Sequence, residues 1–243
     1  MFRATTKIGN LKELIRTIEC LNDEFVLNNG NNIKVVDTAH VAMTDINIKD
    51  SFYLTVDCIK DTKLQLETYK LKDFIRFFKN SDILTMVQVK DRLHLFCDSC
   101  EKEIALKDIS ISEAKIPNLN LPITFNIESK DFKRVIGLAS RISDYIKLRV
   151  KNMDGKISFI SFSESEEQTI RCSPSITDFE GTPNLECISC FPVDYMDSIL
   201  KCNLNNSRIK VKMGSDYPIM LEWDILEKSV NIKFLLAPRV ETE

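Results

Sequence analysis

Four amphipathic stripes recur along this chain at nearly even spacing, and no other property restricts its fold as much. Leu11, Leu14, Ile15 and Ile18 share one helical face, because steps of three, four and seven residues return to the same side of a 3.6-residue helix. The stripe returns 60 residues later as Leu71, Phe74, Ile75 and Phe78. Two further steps of 61 give Phe132, Val135, Ile136 and Ala139, then Val193, Met196, Asp197 and Leu200. Asp197 is the one polar member. A chain of 243 residues therefore reads as four copies of one unit of about 61. A unit that small buries too little surface to stand alone, so the copies must share sheets and cores.

The polar sides of the stripes carry a second message. Lys12, Lys72, Lys133 and Asp194 occupy one equivalent position, and Arg16, Arg76, Gly137 and Ser198 another. The windows 10–21, 69–80, 130–141 and 192–203 carry net charges of 0, +3, +3 and −1. The helices thus hold +5 in a chain of net charge −3, leaving −8 for the rest. Solvated surface helices are charged as a matter of course. Repetition at equivalent positions is what favours a shared function, with the fourth helix contributing least.

Strands are expected between the helices: 24–27, 33–36 and 41–48 after the first, 83–89, 92–96 and 103–107 after the second. In the second half they are expected at 146–150, 156–162, 208–213, 219–223 and 230–236. Lys90-Asp91 suits a tight turn, and Asp154-Gly155 is a strong hairpin signal. Strand, helix, then strands, repeated, favours antiparallel sheets with helices on one face, an α+β architecture. Pro117 and Pro122 interrupt the rhythm near the midpoint and push Ile116 and Leu121 toward extended geometry. The expected organisation is an N-terminal domain over 1–110, a connector over 111–122 and a C-terminal domain over 123–243. Ile116 and Leu119 suit either a docking surface or a connector lying flat on its own domain. Asp178–Asn184 is expected to be a second loop.

The chain has no apolar run long enough to span a bilayer, and its N-terminus lacks a secretion-signal pattern. Eight cysteines in such a chain suggest reduced thiols rather than a disulfide framework.

Two stretches point to a family. Val36-Asp37-Thr38-Ala39-His40-Val41-Ala42-Met43-Thr44-Asp45 joins two expected strands, and Leu235-Leu236-Ala237-Pro238-Arg239-Val240-Glu241 lies at the C-terminal end, two residues short of the last. With Met1-Phe2 and Tyr217-Pro218, they resemble the sliding clamps of the proliferating cell nuclear antigen (PCNA) type, in length and tail more archaeal than eukaryotic. The resemblance covers the whole chain. It implies two similar domains per subunit, three subunits in a ring, helices lining the hole and sheets forming the rim. It also implies a non-enzymatic processivity factor for DNA replication and repair, without cofactor or metal. Such a protein is cytoplasmic and nucleoid-associated in an archaeon and nuclear in a eukaryote.

Read with that resemblance, Lys12, Arg16, Lys72, Arg76, Lys79, Lys133, Arg134, Arg141 and Lys201 would face duplex DNA without reading sequence. DNA polymerase, clamp loader, nuclease and ligase would dock short apolar and aromatic motifs into a pocket. The matching positions are Val36, Val41, Met43, Ile116, Pro218, Leu235, Ala237 and Pro238. Taken alone, Val36, Val41 and Met43 could equally be core-facing strand residues. Subunits would join through edges near 101–109 and 166–172, using Glu103, Ala105, Lys107, Gln168, Ile170 and Cys172. One sequence leaves open a homotrimer or a specialised subunit of a heterotrimeric or checkpoint-type ring.

A reading of another class is Cys-ligated metal or thiol redox chemistry. Cys97-Asp98-Ser99-Cys100 and Cys187-Ile188-Ser189-Cys190 both have C-x-x-C spacing. They lie 90 residues apart, and Cys187 and Cys190 would face opposite sides of a strand. His94 is expected on the solvent face of a strand, and His40 in a turn with local hydrogen bonds. No catalytic triad, paired carboxylates or phosphate-binding glycine loop is evident, which argues against an enzyme.

Overall fold

The computed structural model describes residues 1–109, 117, 119–151, 156–162, 167–181, 186–201 and 208–239. The chain divides into two compact units, Met1–Ile116 with Asp224–Ile232, and Pro117–Trp223 with Lys233–Glu243. Most of the expected connector, Ile116 included, and the Asp154-Gly155 turn lie outside the described residues. No described helix is long and apolar enough to cross a membrane.

The first unit runs β1 (Phe2–Lys7), α1 (Ile8–Glu19), β2 (Glu24–Asn28), β3 (Asn32–Val36), β4 (Ala42–Ile48), β5 (Thr55–Cys58), β6 (Lys63–Glu67), α2 (Thr68–Ile75), β7 (Ile83–Val89), β8 (Arg92–Cys97) and β9 (Cys100–Ala105). A 3₁₀ turn at Asp50–Phe52 precedes β5. The second unit runs β10 (Ile123–Glu128), α3 (Ser129–Ala139), β11 (Tyr145–Lys151), β12 (Lys156–Phe162), β13 (Thr169–Cys172), β14 (Ile176–Gly181), β15 (Glu186–Pro192), α4 (Val193–Lys201), β16 (Arg208–Met213) and β17 (Ile219–Ile225). A last strand, β18 (Val230–Leu236), follows. The four expected helices are all present, and every stripe residue except Phe74, Phe78 and Asp197 is buried.

Each helix follows directly on a strand, and that strand pairs with the other copy of its unit. Antiparallel β1 bonds to β7, with Arg3 opposite Val87, in a sheet ordered β5-β1-β7-β8-β9. Conversely β6 bonds to β2, with Phe25 opposite Leu66, extending β2-β3-β4. The second unit repeats the exchange: β10 pairs with β16, and β15 with β11 in a sheet ordered β13-β12-β11-β15. This exchange is how copies too small to fold alone share their sheets. Buried Leu84, Leu93 and Leu95 form the inner row of the first unit, and Ile146, Leu148 and Val150 that of the second.

The helices begin without side-chain caps on α1, α2 and α3. At the starts of α1, α2 and α4 backbone carbonyls accept instead, and they come from just beyond the partner helix. The Ile8 N–H donates to Asp82 O and the Gly9 N–H to Asn80 O, both at 2.9 Å. The Thr68 N–H donates to Asp23 O and the Val193 N–H to Asp144 O, both at 2.8 Å. First-turn donors that would otherwise be orphaned are thereby satisfied, and α1 is locked to α2. Glycine is needed at position 9, where a Cβ would lie 3.0 Å from both Cβ and O of Asn80.

Two expectations need correction. Asp178–Asn184 is not simply a loop: β14 continues to Gly181, with Asp178 at φ 50° where the pairing to β10 shifts register. The expected strand 103–107 is instead β9, which starts at Cys100 and ends at Ala105; Lys107 makes only an isolated bridge to Gln65.

Candidate functional site

With their apolar stripes buried, α1, α2 and α3 turn their cations outward. Arg16, Lys72, Arg76, Lys79, Arg134 and Arg141 are exposed, Lys12 and Lys133 half-buried. The backbone of Lys201 ends α4; its side chain lies outside the described residues. These cations are not equivalent. The Lys12 ammonium donates to Phe78 O at 2.9 Å and Asn80 Oδ1 at 3.2 Å, tying α1 to the end of α2. Lys72 pairs with Glu19 at 2.8 Å and Arg134 with Asp131 at 2.9 Å. The Arg76 guanidinium lies 4.7 Å from the centroid of the exposed Phe77 ring. Among the described residues no carboxylate pairs with Lys79, Lys133 or Arg141, which leaves those charges for an external anion.

The D-x-x-H-V stretch is a hairpin loop organised by one carboxylate. Asp37 is buried; its Oδ1 accepts the N–H groups of Val41 at 2.8 Å and Ala42 at 2.7 Å, and its Oδ2 that of Ala39 at 3.0 Å. The His40 N–H donates to Asp37 O at 3.1 Å, and His40, at φ 57°, stands in the left-handed region that closes the turn. The sequence pointed to His40; the organiser is Asp37. An aspartate opening a short turn between two apolar runs was the available signal.

That loop fixes which way its neighbours face. Val36 lies opposite Met43 in the β3–β4 ladder, and both are half-exposed, as is Val41, while Val35 and Ala42 are buried. Val36, Val41 and Met43 are therefore not core residues; they form a small apolar surface. In the second unit Pro218, Ala237 and Pro238 are half-exposed, but Leu235 is buried together with Leu236.

The residues expected at subunit edges lie on or beside two edge strands. β9 borders its five-stranded sheet and β13 its four-stranded sheet. Glu103 and Ala105 on β9 are exposed, and Glu103 accepts from Arg92 at 3.2 Å. Gln168 is exposed just before β13, where Ile170 and Cys172 are half-buried. Lys107 is committed internally, donating to Glu24 at 2.7 Å and Glu67 at 2.8 Å. Glu67 also pairs with Lys70. Hydrogen bonds from Lys107 and then Lys70 hold the Glu67 carboxyl at about 2, below its ordinary 4.5. A depressed carboxylate value means stability that is present above pH 4.5 and lost as pH falls toward 2. Chemical denaturation should therefore show a smaller acid-induced loss for Glu67→Gln than for wild type between these limits. Equal losses would show that the Lys107–Glu67–Lys70 cluster adds nothing.

The cysteines follow a different logic from a metal ribbon. Cys97 faces Cys100 across the β8–β9 turn, Cys97 buried and Cys100 exposed. Burial, then Asp98 and Asp82, pushes the Cys97 thiol up, which keeps it protonated. Cys187 is buried and Cys190 half-buried, three residues along β15 and so on opposite faces. Potential ligands converge at Asp82, Cys97 and Asp98, and at His94, Glu101 and Glu103; neither group joins the two C-x-x-C pairs. His94 is half-buried, its Nδ1 2.9 Å from Glu101 Oε1. Six described cysteines are free thiols, but Cys20 is disulfide-bonded, so the expectation of reduced thiols throughout does not hold there.

Two units of paired helices on antiparallel sheets, with outward cations on the helices and an apolar surface beside an Asp-anchored loop, define the DNA-clamp class of fold. Comparison with solved structures agrees. Over 100% of both chains, the fold matches A. fulgidus PCNA from a structure with the C-terminal region of FEN-1, with TM-score 0.88 and 23% identity. PCNA from Thermococcus kodakaraensis matches with TM-score 0.84 and 19% identity over 98% of this chain and 100% of that one. No family model matches the chain. The DNA polymerase sliding clamp of Thermoplasma acidophilum is 29% identical over 99% of this chain and 100% of its own length. That of Methanococcoides burtonii is 26% identical over 100% of each. In sequence along its whole length and in fold, the chain is similar to archaeal sliding clamps of the PCNA type.

Proposed function

We propose that this chain is a DNA sliding clamp: a processivity factor that encircles duplex DNA and tethers replication and repair proteins to it. The observation that carries this reading is the likeness to archaeal sliding clamps over the full chain, in sequence and in fold. The repeated outward cations supply the physical counterpart. Side chains such as Lys79, Lys133 and Arg141 contact phosphates without reading bases, so the protein centres the duplex while remaining free to slide. An acidic remainder limits adhesion of DNA elsewhere on the surface. Retention comes from closure of a ring rather than from affinity, and the chain is a scaffold rather than an enzyme.

The ring is read as a homotrimer joined through β9 and β13, with Glu103, Ala105, Ile170 and Cys172 at the contact. Joining edge strands removes unpaired backbone groups that would otherwise invite aggregation. Partners enter through short motifs whose apolar and aromatic anchors cover Val36, Val41, Met43, Pro218, Ala237 and Pro238. DNA polymerase, a clamp loader, a nuclease and a ligase are the expected partners.

Light scattering across a dilution series tests assembly. A species of about 84 kDa, three times the 28.0 kDa chain, is expected. A stable 28.0 kDa monomer would instead require different partner subunits to complete the ring. Retention on circular but not linear duplex, at equal affinity for short DNA, would separate a clamp from an ordinary basic DNA-binding protein.

A further inference from the structure

The second unit contains a cleft of about 510 Å³ that none of the surfaces above accounts for. Its floor is the outer face of the β11–β12–β15 sheet. Tyr145 and Lys147 alternate outward while Ile146 and Leu148 point into the core, and Lys147 lies opposite Cys190 on β15. Phe162, an exposed aromatic on β12, forms another part of the lining. The wall is Arg239, the residue immediately after Ala237-Pro238. Its N–H donates to Cys190 O at 2.8 Å, which pins the backbone to β15. Its guanidinium lies 4.1 Å from the Tyr145 ring centroid.

This arrangement fixes a cation without neutralising it. Stacking on an aromatic face orients a guanidinium while leaving its N–H fork open in the ring plane. Arg239 is exposed, and no described carboxylate pairs with it. Lys147, which has a partner of its own, also lines the cleft, and among the described residues Asp144 is the only acid there. The Asp144 carbonyl accepts the Val193 N–H, so its backbone is held by the start of α4. The exposed Arg239 guanidinium is therefore the cleft's available donor, beside an apolar wall from Phe162 and Tyr145.

We infer that this cleft is an accessory subsite for an acidic segment of the partner peptide, an Asp or Glu next to an apolar residue. The carboxylate is received by the Arg239 guanidinium, and the apolar side chain lies against Phe162. The inference rests on the docking reading above, because a chain lying on Ala237 and Pro238 is one residue from Arg239. It adds a charge preference that the apolar surface cannot supply. Exposed ion pairs are worth up to about fivefold in affinity, so the subsite would rank partners rather than admit them.

Two measurements on the full-length protein keep the cleft and the docking surface separable. In the first, TROSY spectra of ¹⁵N-labelled protein are titrated with acetyl-Ala-Asp-Leu-Ala-amide or its Ala-Lys-Leu-Ala counterpart. The acidic peptide alone should shift the Arg239 Nε–H signal. Arg239→Glu should abolish saturable binding, and Asp144→Asn should strengthen it about twofold, as removal of one competing exposed charge allows. Equal shifts from both peptides, no shift, or a response only to a DNA duplex would overturn the subsite.

The second measurement uses fluorescence anisotropy of a labelled peptide bearing one apolar and two aromatic anchors, with or without Asp-Asp at either end. The extension at one end should tighten binding about threefold in wild type and not in Arg239→Glu. Arg239→Glu should bind the unextended peptide as wild type does. If the unextended peptide fails to bind, the docking surface is wrong, while the tetrapeptide titration still decides the cleft.

Discussion

Replacing Arg76, Lys79 and Arg141 together by glutamate should lower the residence time on nicked circular duplex at least about tenfold at moderate salt, while subunit mass stays unchanged. Every phosphate that is no longer neutralised takes about 0.9 off the slope of log K against log salt, so the salt dependence should flatten as well. These three side chains are exposed and none pairs with a described carboxylate, so melting should move little, since such surface changes are usually worth within about 0.5 kcal/mol. Lys12 is left out deliberately. Its ammonium already serves Phe78 O and Asn80 Oδ1, and its removal would loosen the α1–α2 packing, confounding the result. Loss of assembly in the triple variant, with residence per intact ring unchanged, would mean that this face joins subunits rather than facing DNA.

Asp37→Ala should be among the most damaging single substitutions, costing about 3 kcal/mol. One buried carboxylate accepts three backbone N–H groups, from Ala39, Val41 and Ala42. Charge-assisted bonds contribute about 1.5–3 kcal/mol each, although removal lets water reach the more exposed donors, which lowers the sum. The loop then loses the geometry that turns Val41 and Met43 outward. Partner-motif affinity should fall in parallel with the urea midpoint, and Asp37→Asn should recover part of both, since its carbonyl can still accept. Unchanged partner affinity in a destabilised Asp37→Ala protein would detach the loop from docking.

How much of this was readable beforehand depended on range. The helices were legible because a 3.6-residue stripe is a local pattern: offsets of three, four and seven named the buried residues almost without error. Strands with flanking turns, such as β7 and β8 around Lys90, were legible for the same reason; Lys90 adopts φ 53° there. The strands β1, β6 and β10 were missed because each runs straight into a helix with no turn residue between, as at Lys7 and Ile8. At β14 the turn-like composition of Asp178 and Gly181 misled, because a register shift against β10 accommodates it inside the sheet.

The site divides in the same way. The helix cations were found by repetition, but which of them are already engaged could not be, since Lys12 meets Phe78 and Asn80 only after α1 packs on α2. Lys107 was placed at a subunit edge by position alone, and its pairing with Glu24 and Glu67 depends on three distant segments. Outward-facing Val36 and Met43 were ambiguous because alternation in β3 is identical whichever face is buried. The Asp37 turn resolves it.

The exchanged lead strands also govern how a ribosome can deliver this protein. When β2, β3 and β4 have emerged, the edge that β6 will cover is still bare, and β1 has no sheet to join. The arrival of β5 offers β1 a two-stranded ribbon, a structure of marginal stability in water. Only when β7 appears can β1 enter its sheet, and α2 must by then be packing on α1. A nascent chain stalled before Ile83 is therefore an open, apolar, aggregation-prone object, however helical its first turns. The second unit imposes the same wait, with β10 idle until β16 is made. Long-range pairing of this kind slows folding. A truncation before β7 or before β16 thus leaves a lead strand without its sheet rather than a smaller working domain.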